Sequence, residues 1–178
     1  MDNDGPYYDD FEHGMTIPPL PAVTVTEADN VAYRMITGDQ HFASADQDSY
    51  QQISGSSKAL VNPGLVMQFA IGQTTNATRK AIANLYYRSV RILRSVEIGE
   101  TLKTTTTVLG LSDAKPKDGQ HRGKVWLGIE TSTDRGPVVQ RVARKQRVWL
   151  DLVSFSQNHL SLRSAWSELP AGLPHHFG

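Results

Sequence analysis

The sequence predicts an α+β domain, and three observations carry that reading. Asn62-Pro63-Gly64 opens an apolar stretch in which Leu65, Val66, Met67, Phe69, Ala70 and Ile71 cover most of a helix circumference, as expected of a helix wrapped by other structure. Beyond Asn76 the chain becomes β-branched and aromatic with turn signals at intervals, the pattern of consecutive antiparallel strands. In one of these segments Val125, Leu127 and Ile129 alternate with Trp126, Gly128 and Glu130, so one face of the sheet should be covered.

Taken in order, the acidic start MDNDGPYYDDFEHG lacks the basic and then apolar run of a secretory signal. Met15 to Pro21 is proline-rich and reads as an extended connecting segment. Val23, Thr24 and Val25 read as a short strand. Thr26 with Asp29 three residues later is a capping-box pattern, so a helix should follow. Its apolar residues Val31, Ala32, Met35 and Ile36 recur at helical spacing, and Gly38 is its expected stop. A short helix is expected from about Gln47 to Ile53, ended by Ser54-Gly55-Ser56-Ser57. Asn62, a good N-cap, precedes Pro63 at the first helical position and starts the central helix.

Three long strands are expected at Ile82 to Arg94, Thr101 to Leu111 and Gly123 to Thr133, with a fourth from Val138 to Leu150 after the turn Asp134-Arg135-Gly136-Pro137. The polar stretch Ser112 to Arg122 should be a solvated hairpin extension with His121 on its surface. The run Thr104 to Thr107 is explained by β propensity. Residues 1–150 are expected to form the domain, and 151–178, which end in a Pro/Gly-rich tail, a partly mobile C-terminal extension.

Composition excludes several functions. Lysine plus arginine equals aspartate plus glutamate at 18 each, so no net field draws the chain to nucleic acid or an anionic membrane. With no cysteine there is no thiolate catalysis, thiolate metal site or disulfide. His159, His175 and His176 have no metal-ligand pattern, so no metal is expected. The longest apolar stretch, around Leu65 to Ile71, is far below the roughly 20 residues of a bilayer span, and the cytoplasm is the default location.

Several segments carry a family resemblance: Val25-Thr26-Glu27-Ala28-Asp29, Thr37-Gly38-Asp39, Asn62-Pro63-Gly64-Leu65 and the later Val96-Glu97-Ile98-Gly99-Glu100-Thr101-Leu102. Together they resemble the MaoC-like acyl dehydratases and (R)-specific enoyl-CoA hydratases over approximately Tyr8 to Leu150. Ala81-Ile82-Ala83-Asn84-Leu85-Tyr86 resembles most the mesaconyl-CoA hydratase branch, which acts on branched, dicarboxylic CoA esters. The resemblance implies a single hot-dog fold, an antiparallel sheet wrapped around the central helix. It also implies reversible hydration of an enoyl thioester by an aspartate and a histidine. Asp39 falls on the family's aspartate. In the pattern Gly-Asp-x-Asn-Pro-aliphatic-His-x-Asp, however, Ser44 stands where the histidine belongs, His41 stands at the asparagine, and Asp46 matches the last acidic position.

Hydration needs a base for water, an acid for the α-carbon and donors for the developing enolate oxygen. Asp39 and His41, two apart, would face one cleft if their segment is extended. Gly64 would offer its N–H to the thioester oxygen, with no side chain to hinder the substrate. Asn62 and Pro63 would line the same helix start, and Ser44 would hold water. Arg91, with Arg88 and Arg94, suits CoA phosphates or a substrate carboxylate.

Plainer readings stand beside these. Gly38-Asp39 also suits a turn, His41 a structural histidine, Ser44 a turn residue, Pro63-Gly64 a helix start and the arginines a solvated strand face. The expected activity is hydration or dehydration of an enoyl or 3-hydroxyacyl thioester, with CoA or phosphopantetheine as part of the substrate and no other cofactor. The alternatives are a non-catalytic acyl-binding subunit of a heterodimeric dehydratase and a hot-dog thioesterase. The expected partner is a second hot-dog chain, identical or related, joined through edge strands.

Overall fold

The computed structural model describes residues 5–87, 90–117, 120–139 and 150–155. Thr26 opens α1 (Glu27–Thr37), its hydroxyl accepting from the Asp29 N–H while Asp29 returns a bond to the Thr26 N–H; Gly38, at φ 69°, ends it. α2 (Phe42–Ala45) and α3 (Gln47–Ser54) follow, with Asp46 capping α3 through the Asp48 and Ser49 amides. α4 (Pro63–Gly72) starts at Asn62, whose side chain accepts from the Gly64 N–H, and α5 (Thr75–Thr78) completes the helices.

The strands are β1 (Thr16–Ile17), β2 (Val23–Thr24), β3 (Ala81–Tyr87), β4 (Thr101–Lys117), β5 (Gln120–Thr133), β6 (Gly136–Val139) and β7 (Leu150–Phe155). Among the described residues they form one antiparallel sheet in the order β1-β4-β5-β7-β3, with β2 also on β4 and β6 also on β5. The stretch expected to be a solvated hairpin extension prolongs β4 and β5, which pair as far as Lys117 and Gln120. His121 is only partly exposed there, tilted against the Tyr8 ring and 3.6 Å from an Asp113 oxygen.

One strand expectation needs correction. The segment Ile82 to Arg94 is not one strand: β3 pairs with β7, whereas Ile92 bridges Val139 and the Leu93 N–H donates to the Val138 carbonyl. The partner changes within a stretch whose composition does not, so nothing in the residue pattern marks the break. Of the segment Val138 to Leu150, residues 140–149 lie outside the described residues. The sheet itself includes β7, which runs to Phe155. Residues 156–178, including His159, His175 and His176, also lie outside.

α4 lays Leu65, Val66 and Ala70 against Val25, Val61, Val96, Leu102, Ile129, Val138 and Val139, the main core. A second cluster, with Phe11, Ile17, Ala77, Val108, Val125 and Leu127, covers the neighbouring part of the sheet. Val125, Leu127 and Ile129 are thus the covered face, as their alternation predicts. Polar bonds fix the register of helix on sheet. Buried Gln73 donates to the Leu102 and Pro21 carbonyls and accepts from the Thr104 hydroxyl, which also pairs with Thr131 at 2.8 Å. Thr104 therefore does more than satisfy β propensity.

The face that α1 turns inward is polar. Val31, Ala32, Met35 and Ile36 are exposed, Met35 and Ile36 by 80% and 85%, and the one buried residue of α1 is Asn30. Asn30 donates to the Ser44 and Leu60 carbonyls and accepts from the Asn62 N–H at 2.8 Å. These three backbone groups need a partner once the chain around them is buried. Satisfying them turns Asn30 and half-buried Tyr33 inward and sends the apolar stripe outward.

Arg94 is likewise committed inside the protein. Its guanidinium donates to both oxygens of buried Glu100 (2.8 and 3.2 Å) and to the Thr133 hydroxyl, while Glu100 also accepts from the Glu97 N–H, Thr133 and Arg135. Burial alone would raise the Glu100 carboxyl, but hydrogen bonds from Arg94, the Glu97 amide and Thr133 outweigh it and hold the pKa at about 2 instead of 4.5.

Candidate active site

The polar residues expected to act together converge on the N-terminus of α4. Asn62 is their junction. Its Nδ2 donates to Asp39 Oδ2 at 2.8 Å and to Ser44 Oγ at 3.3 Å, and its Oδ1 accepts from the Gly64 N–H at 2.8 Å. Asn62 is 1% exposed, so the half-buried Asp39 is positioned by a residue rooted in the core.

Asp39 and His41 are not presented by an extended segment. Asp39 Oδ1 accepts from the His41 N–H at 2.8 Å, a local turn that folds the segment back on itself. The His41 side chain is exposed at the start of α2, its ring stacked on Phe42 with centroids 5.1 Å apart. The imidazole remains within electrostatic reach of Asp39. The Asp39 pKa is lowered first by the hydrogen bond from Asn62, then by the His41 amide, with smaller contributions from the charges of His41 and Arg34. Asp39 is therefore an ionised acceptor beside a cation-capable ring.

Ser44 is buried. Its hydroxyl donates to the His41 carbonyl at 3.0 Å and accepts from Asn62, so it ties the turn to the helix start. Asp46 caps α3 and belongs to the local scaffold. Pro63 is exposed at the first position of α4. The expectation for Gly64 changes in two respects. Its N–H is taken by Asn62, and the space a side chain would fill is occupied: a Cβ there would lie 2.2 Å from the Tyr33 hydroxyl oxygen. Arg91 is exposed after β3 and shares no hydrogen bond or ion pair with this cluster among the described residues. Arg88 lies outside the described residues.

Asn30, Tyr33 and Arg34 belong to the site's surroundings and were not singled out in the sequence. Arg34 is half-buried, and its Nε has no hydrogen-bond partner among the described residues. Asn30, Tyr33, Arg34 and Thr37 recur at i, i+3, i+4 and i+7, so a polar face at helical spacing was present to be found. Among the described residues no group of three or more His, Cys, Asp or Glu side chains could hold a metal, and no helix is long and apolar enough to cross a membrane.

Known proteins extend this description. No protein-family model matches the chain. A Mycobacterium tuberculosis protein with a double hot-dog fold superposes with a TM-score of 0.79 at 29% identity, covering 98% of this chain and 48% of that one. The β-methylmalyl-CoA dehydratase of Chloroflexus aurantiacus is 34% identical over 119 residues, 66% of this chain and 33% of that protein. The mesaconyl-CoA hydratase of Cereibacter sphaeroides is 27% identical over 143 residues, 80% of this chain and 40% of that protein. The sheet around α4 is thus a hot-dog fold, and the matched length is one unit of a double arrangement. A MaoC domain protein of known structure from Chloroflexus aurantiacus superposes with a TM-score of 0.74 at 28% identity, covering 87% of this chain and 42% of that one. This chain is similar in sequence and fold to MaoC-like dehydratases and CoA-ester hydratases, and it spans a third to two fifths of the length of the two curated relatives.

Proposed function

We propose that the chain is one hot-dog unit of an acyl-thioester hydro-lyase, adding water to an enoyl thioester or removing it from the 3-hydroxyacyl form. The observation that carries the reading is the carboxylate of Asp39, kept ionised by Asn62 and the His41 amide at the start of the central helix. An acid held toward its charged form is a weak proton acceptor near neutrality, which suits it to orient water or an imidazole. The imidazole of His41, the other side chain on this turn able to take up a proton and return it, is the base in this reading. In the hydration direction the water oxygen bonds to the β-carbon while its proton passes to His41. The π pair shifts toward the thioester oxygen as an enolate. The α-carbon then takes a proton from the imidazolium, and no proton is consumed overall.

Both curated relatives are named for branched dicarboxylic CoA esters. Arg34, whose charge reaches Asp39, supplies a cation suited to such a carboxylate. The partner is a second hot-dog unit, identical or related. β3 lies at the end of the sheet order with Ile82 and Leu85 nearly half exposed, and α1 exposes Met35 and Ile36. A second unit covering them would remove both an unpaired edge and an apolar stripe from water.

One observation favours the reading in which this chain is a non-catalytic half: the residue at the family's histidine position, Ser44, is spent on internal hydrogen bonds. A paired assay separates the two. The purified chain is given crotonyl-CoA and mesaconyl-CoA, and loss of the conjugated thioester absorbance is followed together with the mass of the assembly. Hydration that His41→Ala abolishes supports catalysis by this chain. No turnover with either substrate, and activity only after a related chain is added, supports the non-catalytic half. Release of free thiol would point to a thioesterase instead.

A further inference from the structure

The Gly64 N–H, the backbone donor expected to hold the thioester oxygen, is already bonded to Asn62 Oδ1 at 2.8 Å. A different donor lies close beside Gly64. A Cβ built on Gly64 would lie 2.2 Å from the Tyr33 hydroxyl oxygen, 3.0 Å from Tyr33 Cζ and 3.1 Å from Asn62 Oδ1. The phenol thus sits directly over the helix start, beside the residue that holds Asp39. Glycine at position 64 makes room for it.

Tyr33 is also held firmly. Its ring packs against the main core, and its carbonyl accepts from the Thr37 hydroxyl at 2.8 Å within α1. Its hydroxyl has no hydrogen-bond partner among the described residues, and Tyr33 as a residue is only partly buried. A phenol in such a place normally finds an acceptor.

We infer that Tyr33 is a further catalytic residue of this chain: its O–H donates to the acyl thioester oxygen and stabilises the enolate, the part expected of the Gly64 N–H. The inference rests on the proposed hydro-lyase function and names the donor for that site. No proton is transferred from Tyr33; it contributes a hydrogen bond that strengthens as negative charge grows on the oxygen.

The test is Tyr33→Phe in the full chain as its native assembly, with unchanged thermal midpoint as the check that the ring still packs. Loss of one such donor lowers turnover by about 100-fold or more. We expect kcat for crotonyl-CoA or mesaconyl-CoA to fall by that order while KM stays within a few-fold. Unchanged kcat, or a rise in KM alone, overturns the inference and leaves the hydro-lyase reading in place. A second readout does not depend on turnover: bound acetoacetyl-CoA should show a stronger enolate absorbance with the parent than with Tyr33→Phe. That difference in a chain that hydrates nothing would support the Tyr33 donor while removing the hydro-lyase reading. Equal enolate absorbance in both proteins would overturn Tyr33. A parent that neither hydrates nor perturbs acetoacetyl-CoA would overturn the functional reading, and the inference with it.

Discussion

Replacing Glu100 by glutamine tests whether the Arg94–Glu100–Thr133 cluster stabilises the fold as its geometry implies. The Glu100 side chain is 7% exposed and accepts from Arg94, Arg135, Thr133 and the Glu97 amide. Glutamine keeps the shape but replaces one acceptor oxygen by a donor that would face other donors, and it leaves Arg94 without its counter-charge. A carboxyl lowered from 4.5 to about 2 corresponds to a ceiling of about 3 kcal/mol. Arg135 is 56% exposed, and solvent screening reduces its share, so the expected loss at neutral pH is about 2 kcal/mol. The sign follows from linkage. The folded-state pKa lies below the unfolded one, so the stabilisation is fully present above pH 4.5 and fades as pH falls toward 2. Urea unfolding of parent and Glu100→Gln from neutral pH down through this window should show the gap closing, with more than half of it gone by about pH 3. A gap that is below about 0.5 kcal/mol at neutral pH, or that does not change with pH, refutes the reasoning.

Four further outcomes are expected. Asn62→Ala removes the cap of α4, costing about 1 kcal/mol, and the Asp39 carboxyl should move back up toward its ordinary pKa; carboxyl NMR titration checks the second effect, and an unmoved Asp39 would contradict the assignment. Asn30→Leu strands the Ser44 and Leu60 carbonyls and the Asn62 N–H, for a loss of about 2–4 kcal/mol in urea unfolding, and a change under 1 would mean these groups find other partners. Leu102→Ala, at a side chain 0% exposed between α4 and the sheet, should cost about 2–5 kcal/mol by the same method. Leu85→Lys on β3 should reduce the mass of the assembly in sedimentation, and an unchanged mass would place the partner elsewhere.

How much of this was legible in the sequence differs by element for physical reasons. The helix starts at Thr26 and Asn62 were readable because a cap is a local interaction within three residues, and the β5 alternation was readable because a covered sheet face imposes a period of two. The break after β3 was not, since it is a change of pairing partner and the partners lie far along the chain. The inward face of α1 was not readable, because apolar spacing predicts a helix without saying which side the fold buries. Here one asparagine satisfies three buried backbone groups. Asp39 was legible through its motif, whereas Tyr33 was hidden, because its position over Gly64 depends on that same orientation of α1.

Asn62 explains why the site's geometry belongs to the core and not to its loop. The carboxylate of Asp39 sits on a segment with little regular structure, and such a segment by itself would let the side chain sample many positions at small cost. Asn62 prevents this: its backbone N–H is fixed by Asn30, its carbonyl by Val66, and its side chain spends both amide hydrogens on Asp39 and Ser44 while its oxygen caps α4. Any shift of Asp39 must therefore break a bond to a residue that is 1% exposed and bonded on every side. Serine at position 44 fits this arrangement, since a small hydroxyl can accept from Asn62 and donate to the His41 carbonyl at once. The histidine that the family pattern puts at this position would be too large to make these two contacts in the same space. The chain thus uses position 44 to fix the turn carrying His41, whose side chain lies on the exposed side of that turn.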